Sequence, residues 1–205
     1  MATLKSKLLL IIFILPLLLM AVEENEEKAA DLMREMMNNY DRIETFQADF
    51  TQKNSWAAMD KKIESSGKMY YDSENLILKY SKPNAQEMKI TKDKIYIFDP
   101  GMNKLMISKN TNIQLKPVEL LRQYWDISTI YITESDEGFL VKLEYSGGRV
   151  EAFIEDYYVQ DVVLYDLQGN SVSYQFRNMK LNETLPENIF EMNIDDSVEV
   201  IDLTK

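Results

Sequence analysis

The chain has 205 residues with no cysteine and no histidine, and sets 34 Asp plus Glu against 23 Lys plus Arg, a net charge of −11. Without cysteine there is no disulfide framework, thiolate nucleophile or zinc–thiolate cluster, and without histidine the usual general base and commonest transition-metal ligand are missing. The acidic field repels polyanions and anionic lipid surfaces, which excludes nucleic acid as a partner.

The first element is a targeting segment. Met1 to Lys7 carries two lysines and no acid, Leu8 to Val22 is an apolar run, and Glu23-Glu24-Asn25-Glu26-Glu27 follows at once. The run is shorter than the roughly 20 residues a membrane-crossing helix needs, which predicts a secretory signal peptide over residues 1–21, cleaved after Ala21. An uncleaved anchor is the alternative. Residues 22–205 are then one exported domain, free in the periplasm, and loss of Lys5 and Lys7 takes the net charge from −11 to −13. No cysteine follows the apolar run, so the chain is not itself a thiol-linked lipoprotein.

Residues 23–40 predict an amphipathic helix, because Ala29, Leu32, Met33, Met36, Met37 and Tyr40 recur at spacings of three and four. From Thr45 the period falls to two, with Phe46, Ala48 and Phe50 alternating with Gln47, Asp49 and Thr51. Further strands are predicted at Ile63–Asp72, Leu76–Ser81, Glu87–Thr91, Lys94–Phe98 and Lys104–Ser108. The series resumes at Thr129–Glu134, Phe139–Tyr145, Val150–Ile154, Asp161–Asp166, Ser171–Lys180 and Phe190–Met192. Tight turns such as Lys92-Asp93, Ser146-Gly147-Gly148 and Gln168-Gly169-Asn170 separate them, which predicts an antiparallel meander curving into one long sheet. Pro117 to Trp125 interrupts it as a short helix with Leu120, Leu121, Tyr124 and Trp125 to one side. Two helices over one sheet face make an α+β domain.

Catalytic chemistry finds few candidates. Asp93 with Asp99, or Glu155 with Asp156, could pair as acid and base, but they fall at turns, where carboxylates cap backbone N–H groups. Asp195-Asp196 lacks the alternating oxygen donors and glycine of a calcium loop, and no Gly-x-Ser-x-Gly elbow is present. Apolar and aromatic residues on alternate strand positions are abundant instead, and can be either ordinary core or the wall of a ligand cavity. Twelve methionines would suit a wall that must fit more than one apolar shape.

The order of motifs carries a family resemblance. Ile43-Glu-Thr-Phe-Gln-Ala-Asp-Phe-Thr-Gln52, Gly67-Lys-Met-Tyr-Tyr71, Leu76-Ile-Leu-Lys-Tyr-Ser-Lys-Pro83 and Lys92-Asp-Lys-Ile-Tyr-Ile-Phe-Asp-Pro100 resemble successive strands of the periplasmic outer-membrane lipoprotein carrier proteins, the LolA family. Leu164 to Phe176 and Asn182 to Phe190 continue the match. The resemblance implies an unclosed antiparallel β-barrel, a curved sheet of about 10–11 strands, with the helices lidding a hydrophobic cavity. It implies a carrier without enzymatic activity or cofactor that is a monomer. Its partners would be acylated lipoproteins, an inner-membrane lipoprotein-releasing ABC transporter and an outer-membrane receptor. A sensor of lipids or lipoproteins, or a carrier of another amphiphile such as a glycolipid, is the alternative.

Candidate wall residues for acyl chains are Phe46 and Phe50 on the first strand, Met69 and Tyr71 on the second, and Leu76, Leu78 and Tyr80 on the third. Met88, Ile90, Tyr96 and Phe98 would follow on the next hairpin. Met33, Met36, Met37, Leu120, Leu121 and Trp125 form the candidate lid. A slip of one residue in register would turn any strand's set to the other face. Two departures stand out. Asp72-Ser73-Glu74 occupies the place where the family commonly has a basic residue followed by Pro that holds the lid, and Leu78 and Tyr96 replace tryptophans.

Overall fold

In a computed structural model, residues 26–111, 113 and 116–204 are described. The predicted signal segment and the start of the predicted helix at 23–25 lie outside them. Helix α1 runs over residues 26–41 and is followed by β1 (Phe46–Trp56), β2 (Lys61–Tyr71), β3 (Asn75–Lys82), β4 (Gln86–Thr91), β5 (Lys94–Asp99) and β6 (Lys104–Lys109). Helix α2 (Pro117–Trp125) precedes β7 (Thr129–Ser135), β8 (Gly138–Tyr145), β9 (Gly148–Glu155), β10 (Tyr158–Asp166), β11 (Ser171–Leu181) and β12 (Glu199–Asp202). All twelve strands form one sheet in the order β12-β6-β5-β4-β3-β2-β1-β11-β10-β9-β8-β7. Every pairing is antiparallel except that of β12 with β6. The sheet is not closed: β7 and β12 are its free edges.

One predicted strand is absent. Phe190–Met192 is irregular, because the chain turns just before it with Asn188 in the left-handed region (φ 56°) and three alternating residues find no neighbour to pair with. The last strand is instead Glu199–Asp202, which pairs in parallel with a segment almost a hundred residues earlier. Its four residues, Glu-Val-Ile-Asp, are too short and too charged to announce a strand by alternation.

Local irregularities bend the sheet. Register shifts fall between Gln47 and Asp49 where β1 meets β11, at Val159–Asp161 in β10 against β9, and at Ser66/Gly67 in β2 against β3. An extra residue on one strand kinks it and increases its twist, which curls a long sheet toward a barrel. At Gly67 the approach is close: a Cβ there would lie 2.1 Å from the Lys79 carbonyl oxygen, so only glycine allows β2 and β3 to meet there.

Burial separates two faces. Phe46, Met69, Leu76, Ile90, Val150 and Ile154 belong to one cluster on the inner face, beneath α1 and α2. Tyr70, Ile77, Leu105 and Val198 are also buried but stand outside that cluster. Strand alternation puts Tyr70 and Ile77, which are direct partners, on the outer face. The segment 182–198 must travel from β11, beside β1, to β12, beside β6.

Helix α1 buries Ala29, Leu32, Met36 and Tyr40, spaced by three and four, and is seated by the last of these. The Tyr40 hydroxyl accepts a hydrogen bond from the Val159 N–H (3.1 Å) at the β10 bulge, and its ring meets Tyr158 edge-on at 5.5 Å. Burial holds this phenol well above its ordinary pKa. Helix α2 begins with Pro117 in its first turn and buries Val118, Leu121 and Trp125.

Candidate functional site

The inner face and the two helices enclose one apolar interior. Phe46, Phe50, Met69, Tyr71, Leu76, Leu78 and Ile90 are buried in a single cluster, and Tyr80 and Met88 are half-buried against it. The lid residues converge there too: Met36 and Leu121 are inaccessible to solvent, Trp125 is buried, and Met33, Met37 and Leu120 pack at the margin.

Tyr96 and Phe98 are not part of this interior. The two-residue turn Lys92-Asp93 sets Ile90 opposite Ile95 and Met88 opposite Ile97, so the inward set of β5 is Ile95 and Ile97. Tyr96 and Phe98 stand opposite Lys89 and Glu87 on the outer face. Every residue from Ile95 to Phe98 is apolar, so alternation within the strand cannot choose a side; the hairpin register does.

A further part of the interior lies outside the residues singled out from sequence. Val141 and Leu143 of β8, Val150, Ala152 and Ile154 of β9, Val159 and Val162 of β10 and Phe176 of β11 also belong to the cluster. The Val-x-Ala-x-Ile alternation of β9 is a readable signal for this half. Val118, which is fully buried in α2, is a further residue that the candidate lid omits.

Among the described residues no buried residue is polar or charged, so polar groups mark the rims. At one rim Lys116, at the start of α2, donates to the Tyr40 carbonyl at the end of α1 (2.6 Å), lies 3.9 Å from the Asp41 carboxylate and sits 6.0 Å from the Tyr71 ring centre. A cation there complements the negative end of α1 and shares the Tyr40 carbonyl with the Ile43 N–H, which donates to it at 3.2 Å. The space it closes, lined by Tyr40, Ile43, Phe46, Tyr71, Lys116 and Pro117, is only about 10 Å³. At another margin the Tyr80 hydroxyl donates to Gln52 Oε1 (2.9 Å) and its ring meets Phe50 edge-on at 5.0 Å; burial pushes its pKa up to about 12.

The acids serve the backbone. Asp72 Oδ1 accepts from the N–H groups of Glu74 and Asn75, Asp99 from that of Met102, and Asp195 from Ser197, whose N–H and hydroxyl hold the Asp195 carboxyl below the usual carboxylate range. No group of three His, Cys, Asp or Glu among the described residues is placed to hold a metal. No described helix is long and apolar enough to cross a membrane.

These features define a class: an unclosed antiparallel barrel whose apolar inner face is lidded by two helices. Residues 41–193 match the family described as outer membrane lipoprotein carrier protein LolA, and the chain belongs to that family. Comparison with curated proteins finds no match. Among solved structures, a conserved protein from Thermus thermophilus shares the fold at 15% identity, with a TM-score of 0.56 over 85% of this chain and 99% of that one. A LolA superfamily protein from Nitrosomonas europaea matches at 10% identity and TM-score 0.39 (74% and 91% of the two chains). The lipoprotein LppX from Mycobacterium tuberculosis matches at 8% and 0.46 (78% and 98%).

Proposed function

We propose that this protein is a non-catalytic periplasmic carrier that shields the acyl chains of lipoproteins on their way from the inner toward the outer membrane. The observation that carries the reading is the composition of the interior: a sheet face and two helices whose buried side chains are aliphatic, methionine or aromatic. Each methylene left in water costs about 0.8 kcal/mol, so one chain of about 16 carbons costs on the order of 12 kcal/mol to strand in solvent. An interior of Met, Leu and aromatic residues can take up that surface, and its side chains can repack around chains of different length.

The space beneath the rim at Lys116 is about 10 Å³, far below the roughly 300 Å³ or more of a ligand cavity, so a guest entering there has to lift the lid. The helices are held by side-chain packing and a few polar ties, not by the ladder of the sheet, so they can lift while the strands stay paired. Acylated lipoproteins are thus the cargo of this proposal, an inner-membrane lipoprotein-releasing ABC transporter the donor, and an outer-membrane receptor the acceptor.

The test is mass spectrometry of the protein purified from periplasm. Diacylated or triacylated protein in the complex supports the carrier. Free lipid or glycolipid alone would replace lipoproteins with another amphiphile, and a protein that never holds acyl chains would end the proposal.

A further inference from the structure

One row of inward side chains crosses the outer half of the sheet without a break. Met69 of β2 stands directly opposite Leu78 of β3, Leu78 opposite Met88 of β4, Met88 opposite Ile97 of β5, Ile97 opposite Met106 of β6, and Met106 opposite Ile201 of β12. Residues directly opposed across a ladder share a face, so all six belong to the face that carries the interior. Exposure grows outward as far as β6: Met69 is 4% exposed, Leu78 8%, Met88 and Ile97 are half-buried, and Met106 is 41% exposed; Ile201, at the β12 edge, is half-buried again.

The row is long enough to take up a whole hydrocarbon chain. Five interstrand steps of about 4.8 Å span roughly 24 Å, more than the length of about 15 Å with which an acyl chain fills half of the roughly 30 Å hydrocarbon thickness of a bilayer. The row is also narrow. On the same face of β6 and β12 the neighbouring position is the Lys104–Glu199 ion pair (3.2 Å), continued on β5 by Asp99, which stands opposite Lys104. On the other side Ile90 and Ile95 give way to Ser108. A protein surface would need a broader apolar patch, while one flexible chain fits a strip bounded by polar groups. Three of the six residues are methionine, the side chain best able to follow a moving hydrocarbon.

We propose that this row is an acyl-chain track that opens at the β12 edge, along which a chain enters sideways beneath the lid with its polar end last, beside Lys104 and Glu199. The proposal rests on the carrier reading above and adds the path and the port.

The experiment uses a 16-carbon fatty acid bearing a diazirine, with binding followed by titration and the attachment sites read by peptide mass spectrometry. A diazirine at the chain end is expected to label β2 and β3, and one near the carboxyl group β6 and β12. Met106→Glu and Met106→Lys, both at an exposed position that leaves the core untouched, are each expected to weaken binding about tenfold, because a charge then lies in the path of the chain. Met102→Glu, off the row and 69% exposed, should bind within about twofold of the unmodified protein. If the protein binds the fatty acid and both Met106 variants bind it equally well, the track is wrong and the carrier reading stands. If the unmodified protein takes up neither the fatty acid nor a diacylated peptide, the carrier reading falls and the track with it.

Discussion

Lys116 joins two elements that have no backbone hydrogen bond to each other. Its ammonium donates to the Tyr40 carbonyl, one of the last in α1, while its own backbone begins α2. A hydrogen bond involving a charged group contributes about 1.5–3 kcal/mol, and the nearby Asp41 and Tyr71 ring add to it. Lys116→Met keeps the apolar stem and removes the donor, so the expected loss is about 1–2 kcal/mol in urea unfolding, with a larger effect on the lid than on the sheet. Hydrogen exchange should quicken in α1 and α2 before the strands respond, and an apolar dye should bind more strongly. Lys116→Arg retains a donor and should restore most of the protection. Equal exchange rates in the Met variant would show that this contact does not hold the helices.

At the scale of elements, β2 and β3 carry one of the three register shifts that bend the sheet, and at Gly67 their backbones come close. A methyl group at that position would sit 2.1 Å from the Lys79 carbonyl oxygen, and the obstacle is backbone that cannot rotate away. Gly67→Ala should therefore cost about 3 kcal/mol or more in equilibrium unfolding, and a change under about 1 kcal/mol would mean that the strands separate without strain. This glycine is legible as part of a motif, and so are the helix at Pro117–Trp125 and most strands, since alternation and turn residues are local signals. What is not legible depends on partners far away in the chain. By pattern alone Tyr96 and Phe98 make as good a wall as Ile95 and Ile97, and only pairing with β4 decides between them. The parallel strand β12 exists only because β6 lies beside it. The contact between Lys116 and Tyr40 joins residues 76 positions apart, and neither residue signals the other.

For the molecule as a whole, the excess of acid decides which surfaces it can approach. Residues 22–205 would carry a net charge of −13, given that the two lysines before them are lost with the predicted leader. The charge lies outside, because no described buried residue is charged, and so it is felt by anything within a Debye length, about 10 Å at 0.1 M salt. An anionic bilayer repels such a surface, and repulsion is useful to a carrier of hydrocarbon, which would otherwise stay adsorbed to the membranes on either side. On the carrier reading proposed above, delivery would depend on protein partners with basic faces, whose attraction steers the encounter and weakens as salt rises. Residues 22–205 should consequently fail to sediment with phosphatidylglycerol vesicles at low ionic strength, while binding to a donor or acceptor protein should fall steeply between about 50 and 200 mM salt. Vesicle binding at low salt that disappears as salt is added would reveal a basic face hidden within the net charge. Partner binding indifferent to salt would place recognition in apolar contacts, leaving the acidic surface with the separate task of keeping the carrier off the lipid.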